Sequence, residues 1–288
     1  MTGGESLATR ELPEAPGPQA FGGNRRRFWT LVWLSSVAEF KLMYVGSALG
    51  SVLGYLWAVA RPLLTFLTLY FVFSRVFRVG DITPNYASML LFNLSMFFLL
   101  SETSNRAMRS YVAREGILRK MNFPHAVIPL SIVLTGVFTF VLNLFVVFGI
   151  VIGVGTPVQS TWLLLPLLWL LMLVFAAAMA VILSTVYVRF RDMEQIWGVG
   201  LLMLFYLSPI MYPVELIPDG FRWLLVINPI APIFEQNRVW AVDPAGETAW
   251  GAVGNGLGLI GPAVIFVAIC GCAALLVARR TRTVAEDL

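Results

Sequence analysis

MNFPHAVIPLSIVLTGVFTFVLNLFVVFGIVIGVGTPVQSTWLLLPLLWLLMLVFAAAMAVILSTVYV, residues Met121 to Val188, contains no Asp, Glu, Lys or Arg. About 20 apolar residues at about 1.5 Å each cross a hydrocarbon core of about 30 Å. The stretch is therefore long enough for two membrane helices, hinged at Gly155-Thr156-Pro157-Val158-Gln159-Ser160. In lipid the backbone has no water to bond, so each block must satisfy its own N–H and C=O groups as a helix. Alternating β-barrel patterning is absent from the sequence.

Working outward, the same pattern recurs. Between Lys41 and Arg75 only Arg61 is charged, which predicts a first span over about 53–75. The uncharged run Ile82 to Ser101 gives a second span over about 84–102. The long stretch supplies spans over 127–152 and 162–187, Gln195 to Val214 a fifth over 195–212, and Thr248 to Ala278 a sixth over 255–278. Composition agrees: 58% of the 288 residues are hydrophobic and 12% charged, with a mean hydropathy of +0.80, whereas soluble domains are about 25% charged. This excludes an ordinary soluble protein and predicts an all-α integral membrane protein with six transmembrane helices.

The flanks set the sidedness. Residues 1–24 are rich in Gly, Pro, Glu and Ala and read as a disordered cytoplasmic tail, not a signal peptide. Residues 25–48 place Arg25, Arg26 and Arg27 ahead of Phe28, Trp29, Val32 and Trp33, the pattern of an amphipathic helix lying in the interface. The six-span membrane domain then occupies 49–280, with a short cytoplasmic tail at 281–288. Sixteen of the twenty basic residues fall in the N-terminal part, in 106–120, at Arg189 and Arg191, and after Ala278. The positive-inside rule places these segments and both termini in the cytoplasm. Because the basic residues flank apolar blocks, they read as headgroup anchors, which argues against nucleic acid. Cys270 and Cys272 lie in an apolar run and behave as small hydrophobes. Eighteen arginines against two lysines point to a bacterial source.

Residues 209–247 are too apolar for a free loop and too short for two spans. They carry Pro209, Pro213, Pro218, Pro229 and Pro232, which predicts short re-entrant helices over about 213–240 and a gate or cavity there. Asn228, Glu235 and Arg238 either hold these helices together or pair at the surface. Glu39 and Glu102 either sit in interfacial water or pair with Arg61 or the basic segment.

Catalytic and nucleotide-binding patterns are missing. Neither Lys41 nor Lys120 belongs to a G-x-x-x-x-G-K-[ST] loop, His125 is the lone histidine, and no H-E-x-x-H or G-x-S-x-G occurs. The sequence therefore reads as a non-enzyme without a metal site. Any ATP that drives it is bound by another chain.

Five ordered motifs then narrow the reading. Gly50-Ser51-Val52-Leu53-Gly54-Tyr55-Leu56-Trp57-Ala58-Val59-Ala60-Arg61-Pro62-Leu63-Leu64 resembles the S-x-L-G-x-x-W-x-x-x-x-P-L-L signature opening the first span in permeases of ATP-binding-cassette polysaccharide exporters. These are the Wzm and TagG type of ABC type-two permease. Leu118-Arg119-Lys120-Met121-Asn122-Phe123-Pro124 resembles their L-x-K-x-x-F-P segment, and Phe190-Arg191-Asp192 their F-R-D element. Ser208-Pro209-Ile210-Met211-Tyr212 is similar to S-P-I-x-Y, and Asn228-Pro229 to the N-P element. The likeness runs from about Phe40 to Arg280. Gly46-Ser47-Ala48-Leu49-Gly50 nearly duplicates Gly50-Ser51-Val52-Leu53-Gly54, a departure that resembles a four-residue insertion.

The resemblance implies a homodimeric permease that joins two separately encoded ATPase subunits in a bacterial cytoplasmic (inner) membrane. It implies export of a lipid-linked polysaccharide of O-antigen, teichoic acid or cell-wall galactan type. No cofactor belongs to this chain, since ATP and Mg would sit on the ATPase. A coupling helix over about 105–119 would dock in an ATPase groove through Arg106, Arg109, Arg114, Glu115 and Arg119. Flat aromatic faces let a sugar slide, so Tyr55, Trp57, Tyr70, Phe205, Tyr206 and Tyr212 are expected along the substrate path, with Pro209, Pro213, Asn228 and Pro229 at the gate. Arg61 has two readings: it snorkels to the interface, or it meets the lipid-linked phosphate. Rival functions are a type-two exporter of a drug or lipid, and an ion-coupled secondary carrier.

Overall fold

The computed structural model describes residues 24–45, 51–116, 126–252 and 256–279. The disordered-tail expectations, the near-duplicated 46–50, Arg119 with most of its motif, and His125 lie outside the described residues.

In chain order the helices are α1 (Asn24–Val45), α2 (Ser51–Tyr70, continuing as a π turn through Val76), α3 (Tyr86–Met108), α4 (Ser110–Ala113), α5 (Val127–Gly153) and α6 (Leu165–Arg189). They are followed by α7 (Met193–Leu207), α8 (Trp223–Ile227), α9 (Ala231–Ala241), α10 (Ala249–Ala252) and α11 (Ile260–Arg279). Among the described residues there is no strand. Among the described residues, five helices are long and apolar enough to cross a membrane: Val59–Val76, Tyr86–Met108, Val127–Gly153, Ser160–Arg189 and Ile260–Ala278. The sixth candidate, Met193–Leu207, has 15 residues, about 22 Å of helix against a core of about 30 Å.

The charge-free stretch folds as α5 and α6, and its hinge turns at Gly155, whose φ of +85° favours glycine. Central to the bundle is α3, which packs between α5 and α6 while α9 rests on its first half. Its buried row includes Met89, Leu90, Met96 and Leu100, all at 0% exposure. At Gly136, α5 comes so near α3 that an added Cβ would collide with the Thr103 hydroxyl. Such close approach at a small residue is how membrane helices gain dispersion contact where water gives no drive.

Helix α1 docks on α5 through a polar seam. The Ser36 hydroxyl lies 2.6 Å from the Val32 carbonyl and 2.9 Å from that of Ser131, and the Thr135 hydroxyl reaches the Ser36 carbonyl at 3.2 Å. Trp29, Trp33, Leu34 and Leu42 of α1 are exposed, and Trp33 also meets Phe138 of α5 edge-on at 5.5 Å.

Three boundaries differ from the sequence expectation. The fifth apolar run was expected to stay helical to 212 but stops at Leu207, because Pro209 drives Ser208 into an extended conformation (φ −95°, ψ 148°). Helix α3 continues to Met108, beyond the expected 102, with Glu102 and Arg106 one turn apart on its surface. Of the expected single helix over 105–119, the described part to 116 is the end of α3, a break at Arg109 (φ −83°, ψ −3°), the short α4, and a turn at Arg114 before Glu115 and Gly116.

Candidate functional site

Two polar constellations lie at opposite ends of α3. Where α3 begins, α9 rests against it, while α8, the other arm of the hairpin, packs on α11. Asn228 prepares the start of α9: its Oδ1 accepts from the backbone N–H groups of Ile230 (3.1 Å) and Ala231 (3.3 Å), and its Nδ2 donates to the Ser208 hydroxyl at 2.9 Å. The far end of α9 is closed by the hinge between α5 and α6. Thr161 donates to the Trp240 carbonyl (2.6 Å), Trp162 Nε1 to that of Ala241 (2.8 Å), and Gln159 Nε2 to that of Val242 (3.4 Å). These are the carbonyls a helix leaves unsatisfied at its C-terminus.

One face of α9 carries an ionic knot. Arg238, 2% exposed, donates from Nε to Glu235 (2.9 Å), from Nη1 to Asp243 (3.0 Å) and from Nη2 to Glu215 (2.7 Å). Burial pushes the Glu235 carboxyl up to about 7 although Arg238 opposes it. Burial also acts to raise Glu215, but the backbone N–H groups of Glu215 and Glu247, together with Arg238, outweigh it and hold that carboxyl low. Burial acts to lower Arg238, and Glu235 and Glu215 outweigh it in turn. The other face carries Asn237, whose Nδ2 donates to Asn93 Oδ1 on α3 at 2.9 Å.

At the basic end, Arg61 of α2, Glu102, Arg106 and Arg109 of α3, and Glu194, Gln195 and Gly198 of α7 surround an open polar cavity of about 700 Å³. Arg109 pairs with Glu194, which also accepts from the Tyr187 hydroxyl at 3.3 Å. Arg106 lies 4.0 Å from Glu102, and Arg114 pairs with Glu39 of α1. Trp197 Nε1 donates to the Ser104 hydroxyl at 3.0 Å, fixing α7 on α3. The guanidinium of Arg191, in the F-R-D turn, stands 5.1 Å over the Tyr187 ring. Arg61 makes no ion pair with any described residue.

The residues expected along a substrate path divide into separate groups. Arg61 lines the cavity, where it meets Arg106 and Arg109, two residues expected at the ATPase instead. Tyr70 stacks between Phe66 and Tyr86, and Phe205 packs on Phe97 at 4.9 Å. Trp57 (61% exposed) and Tyr206 (55%) face away from the chain's own core. Tyr212 lines a separate apolar pocket of about 280 Å³ with Leu207, Leu216, Ile217 and Phe221, its hydroxyl donating to the Tyr206 carbonyl at 2.7 Å. Tyr55 lies in the helical backbone of α2, with its side chain outside the described residues. Pro209, Pro213 and Asn228 are buried at the junction of α7 with the hairpin, and Pro229 is half-buried there. Glu115 is half-buried near the end of the basic segment.

Of the two options for Glu39 and Glu102, both pair with the basic segment and neither with Arg61. Asn228, Glu235 and Arg238 hold the hairpin from inside. Sequence reasoning missed Asn93, Asn237, Tyr86 and Glu194. An amide in the middle of the uncharged run Ile82 to Ser101, well past Asn85 at its edge, was the available signal for Asn93. Among the described residues no group of three or more His, Cys, Asp or Glu could hold a metal ion.

Comparison with known proteins adds an independent line. The sequence profile of the family described as ABC-2 type transporter matches residues 30–241. An O-antigen export system permease protein RfbA of Klebsiella pneumoniae is 35% identical over 183 residues, covering 63% of this chain and 70% of that protein. The RfbA of Myxococcus xanthus is 30% identical over 206 residues, 68% of this chain and 78% of that one. The polysialic acid transport protein KpsM of Escherichia coli is 26% identical over 188 residues, 65% of this chain and 72% of KpsM.

Proposed function

The chain belongs to the ABC-2 type transporter family, and from that premise we propose that it is the permease subunit of a polysaccharide exporter whose ATP is hydrolysed on a separate subunit. It is a multi-pass membrane protein, and its relatives export O-antigen and polysialic acid. In this reading both termini and the basic end face the cytoplasm, ATP and Mg belong to the ATPase, and no cofactor belongs to this chain. The substrate is a lipid-linked glycan.

The single observation that carries the mechanism is the cavity at the basic end. Arg61 is the cation there that no described carboxylate neutralises, so it is available to a phosphate that links glycan to lipid, while Glu102 and Glu194 keep the cavity from becoming a deep anion trap. Two copies would meet through α2 and α7, both sparsely buried: only 6% of Val59–Val76 is buried, and α7 buries only Trp197 and Leu201. The sugar would pass between them along Trp57, Tyr206 and their neighbours toward the hairpin gate. The chain itself makes and breaks no bond. It offers two states, and differential binding of nucleotide to the partner sets their populations. Against an ion-coupled carrier stands the carboxylate inventory: Glu235 is the one fully buried acid among the described residues, it lies outside the five long spans, and Arg238 engages it.

The test is co-purification of the chain with its ATPase, followed by ATPase assay of the wild type and of a variant with Arg109, Arg114 and Arg119 changed to Ala. A stable complex whose assembly or hydrolysis falls in the variant is expected. Transport by the chain alone, without any ATPase, would overturn the reading.

A further inference from the structure

Asn93 is fully buried in α3, two turns from its start, among Met89, Leu90, Phe92 and Met96. An amide in such surroundings is costly unless bonded. Its Nδ2 faces the carbonyls of Pro209 (3.2 Å) and Ile210 (3.4 Å), and its Oδ1 accepts from Asn237 of α9. Two turns earlier, the Tyr86 hydroxyl donates to the Met211 carbonyl at 2.8 Å. Helix α3 thus bonds three consecutive carbonyls at the point where α7 unwinds, and through the same amide it grips α9. Nonhelical backbone at membrane depth needs such donors from neighbouring helices.

The other end of α3 carries Arg106 and Arg109, which face the basic cavity. From Asn93 to Arg106 is about 20 Å of helix, and α3, which contains no Gly or Pro at which that rod would bend, ends just before Arg109. Asn237 Oδ1 is buried without a donor, so the junction is not saturated in this arrangement and a second arrangement of the same groups can compete.

We propose that Asn93 is a positioning residue that carries displacement of α3 into the α7–α9 gate, with Tyr86 as a second tie on the same rod. The proposal rests on the exporter reading, since the displacement originates at the ATPase. Pure packing would be served as well by leucine. A mechanical tie would not.

The experiment uses the complex with its ATPase in nanodiscs, in a background with Cys270→Ser and Cys272→Ser and a single reporter, Leu216→Cys, which is 41% exposed in the wild-type chain beside the gate. The probe is the rate of maleimide labelling with and without ATP, Mg and vanadate, alongside ATP hydrolysis per intact complex. Nucleotide is expected to change the labelling rate of the parent. Asn93→Leu and Tyr86→Phe should each shrink that response by about fivefold or more, the lower range of a coupling between sites, while hydrolysis per complex persists. Asn237→Leu added to Asn93→Leu should cost little further response, because both act through one bond. If Asn93→Leu does not assemble, Tyr86→Phe decides, since it removes one hydroxyl and keeps the ring. A parental response in both variants overturns the proposal. So does a parent that hydrolyses ATP without any change in labelling, which leaves the exporter reading standing. A chain that binds no ATPase overturns that reading itself.

Discussion

Replacing Glu235 by Gln changes one atom in the most enclosed carboxyl of the described structure, and it should stabilise the protein above neutral pH. The side chain is 1% exposed, Oε2 has no hydrogen-bond partner, and burial raises its pKa from 4.5 to about 7 against the pull of Arg238. Since the folded value exceeds the unfolded one, the group's stabilising contribution is complete below 4.5 and is lost as pH rises through about 7. By pH 8 the loss amounts to about 3 kcal/mol, and at pH 5 to less than about 1 kcal/mol. Glutamine has nothing to ionise and avoids it, while its Oε1 still accepts from Arg238. Thermal unfolding in nanodiscs, followed by tryptophan fluorescence, should therefore place Glu235→Gln about 5–10 °C above the wild type at pH 8. The two should lie close together at pH 5. Arg238→Met is the opposing control: it strips the counter-charge from Glu235, so its stability should keep falling above pH 7, by about 1.4 kcal/mol per unit, where the wild type levels off. A Gln variant less stable than the wild type at pH 8, or an equal shift at both pH values, would refute the argument.

Two further outcomes follow from packing and capping. Gly136→Ala should destabilise by about 1–3 kcal/mol through overpacking against Thr103, and Thr103→Ala in the same chain should recover most of it, as thermal unfolding of the double variant would reveal. Asn228→Ala removes the acceptor at the start of α9 and should cost about 1 kcal/mol, with hydrogen exchange rising at Ile230 and Ala231 before it rises in α3.

Legibility in the sequence followed the range of the physics involved. The charge-free run from 121 to 188 was readable as two helices because lipid solvation acts on every residue of a segment at once. The end of α7 was misread for the same reason: Pro209, Ile210, Met211 and Tyr212 are as apolar as a helix, and hydropathy does not register that Pro209 forces Ser208 to extend. The hairpin was visible from its prolines, yet its fasteners were not. Gln159, Thr161 and Trp162 close a helix about 80 residues away, and Glu39 meets Arg114 across a similar separation. Charge counting identified 106–120 as basic but could not tell whether those cations were committed within the chain. Asn93 and Asn237 are the instructive omission, because an amide inside an apolar run signals only that it needs a partner, and the fold alone shows that the two are a pair.

That commitment of Arg109 to Glu194 and of Arg114 to Glu39 changes what the basic end can offer a visitor. At Arg109 and Arg114 a protein landing there would meet cations that already have counterions, so a new ion pair to either would displace an old one with a small net electrostatic gain. Recognition through these two arginines would work by exchange: the visitor would release Glu39 of α1 from one side and Glu194 of α7 from the other. Occupancy would then reach two helices at once, through the bonds given up and not through those made.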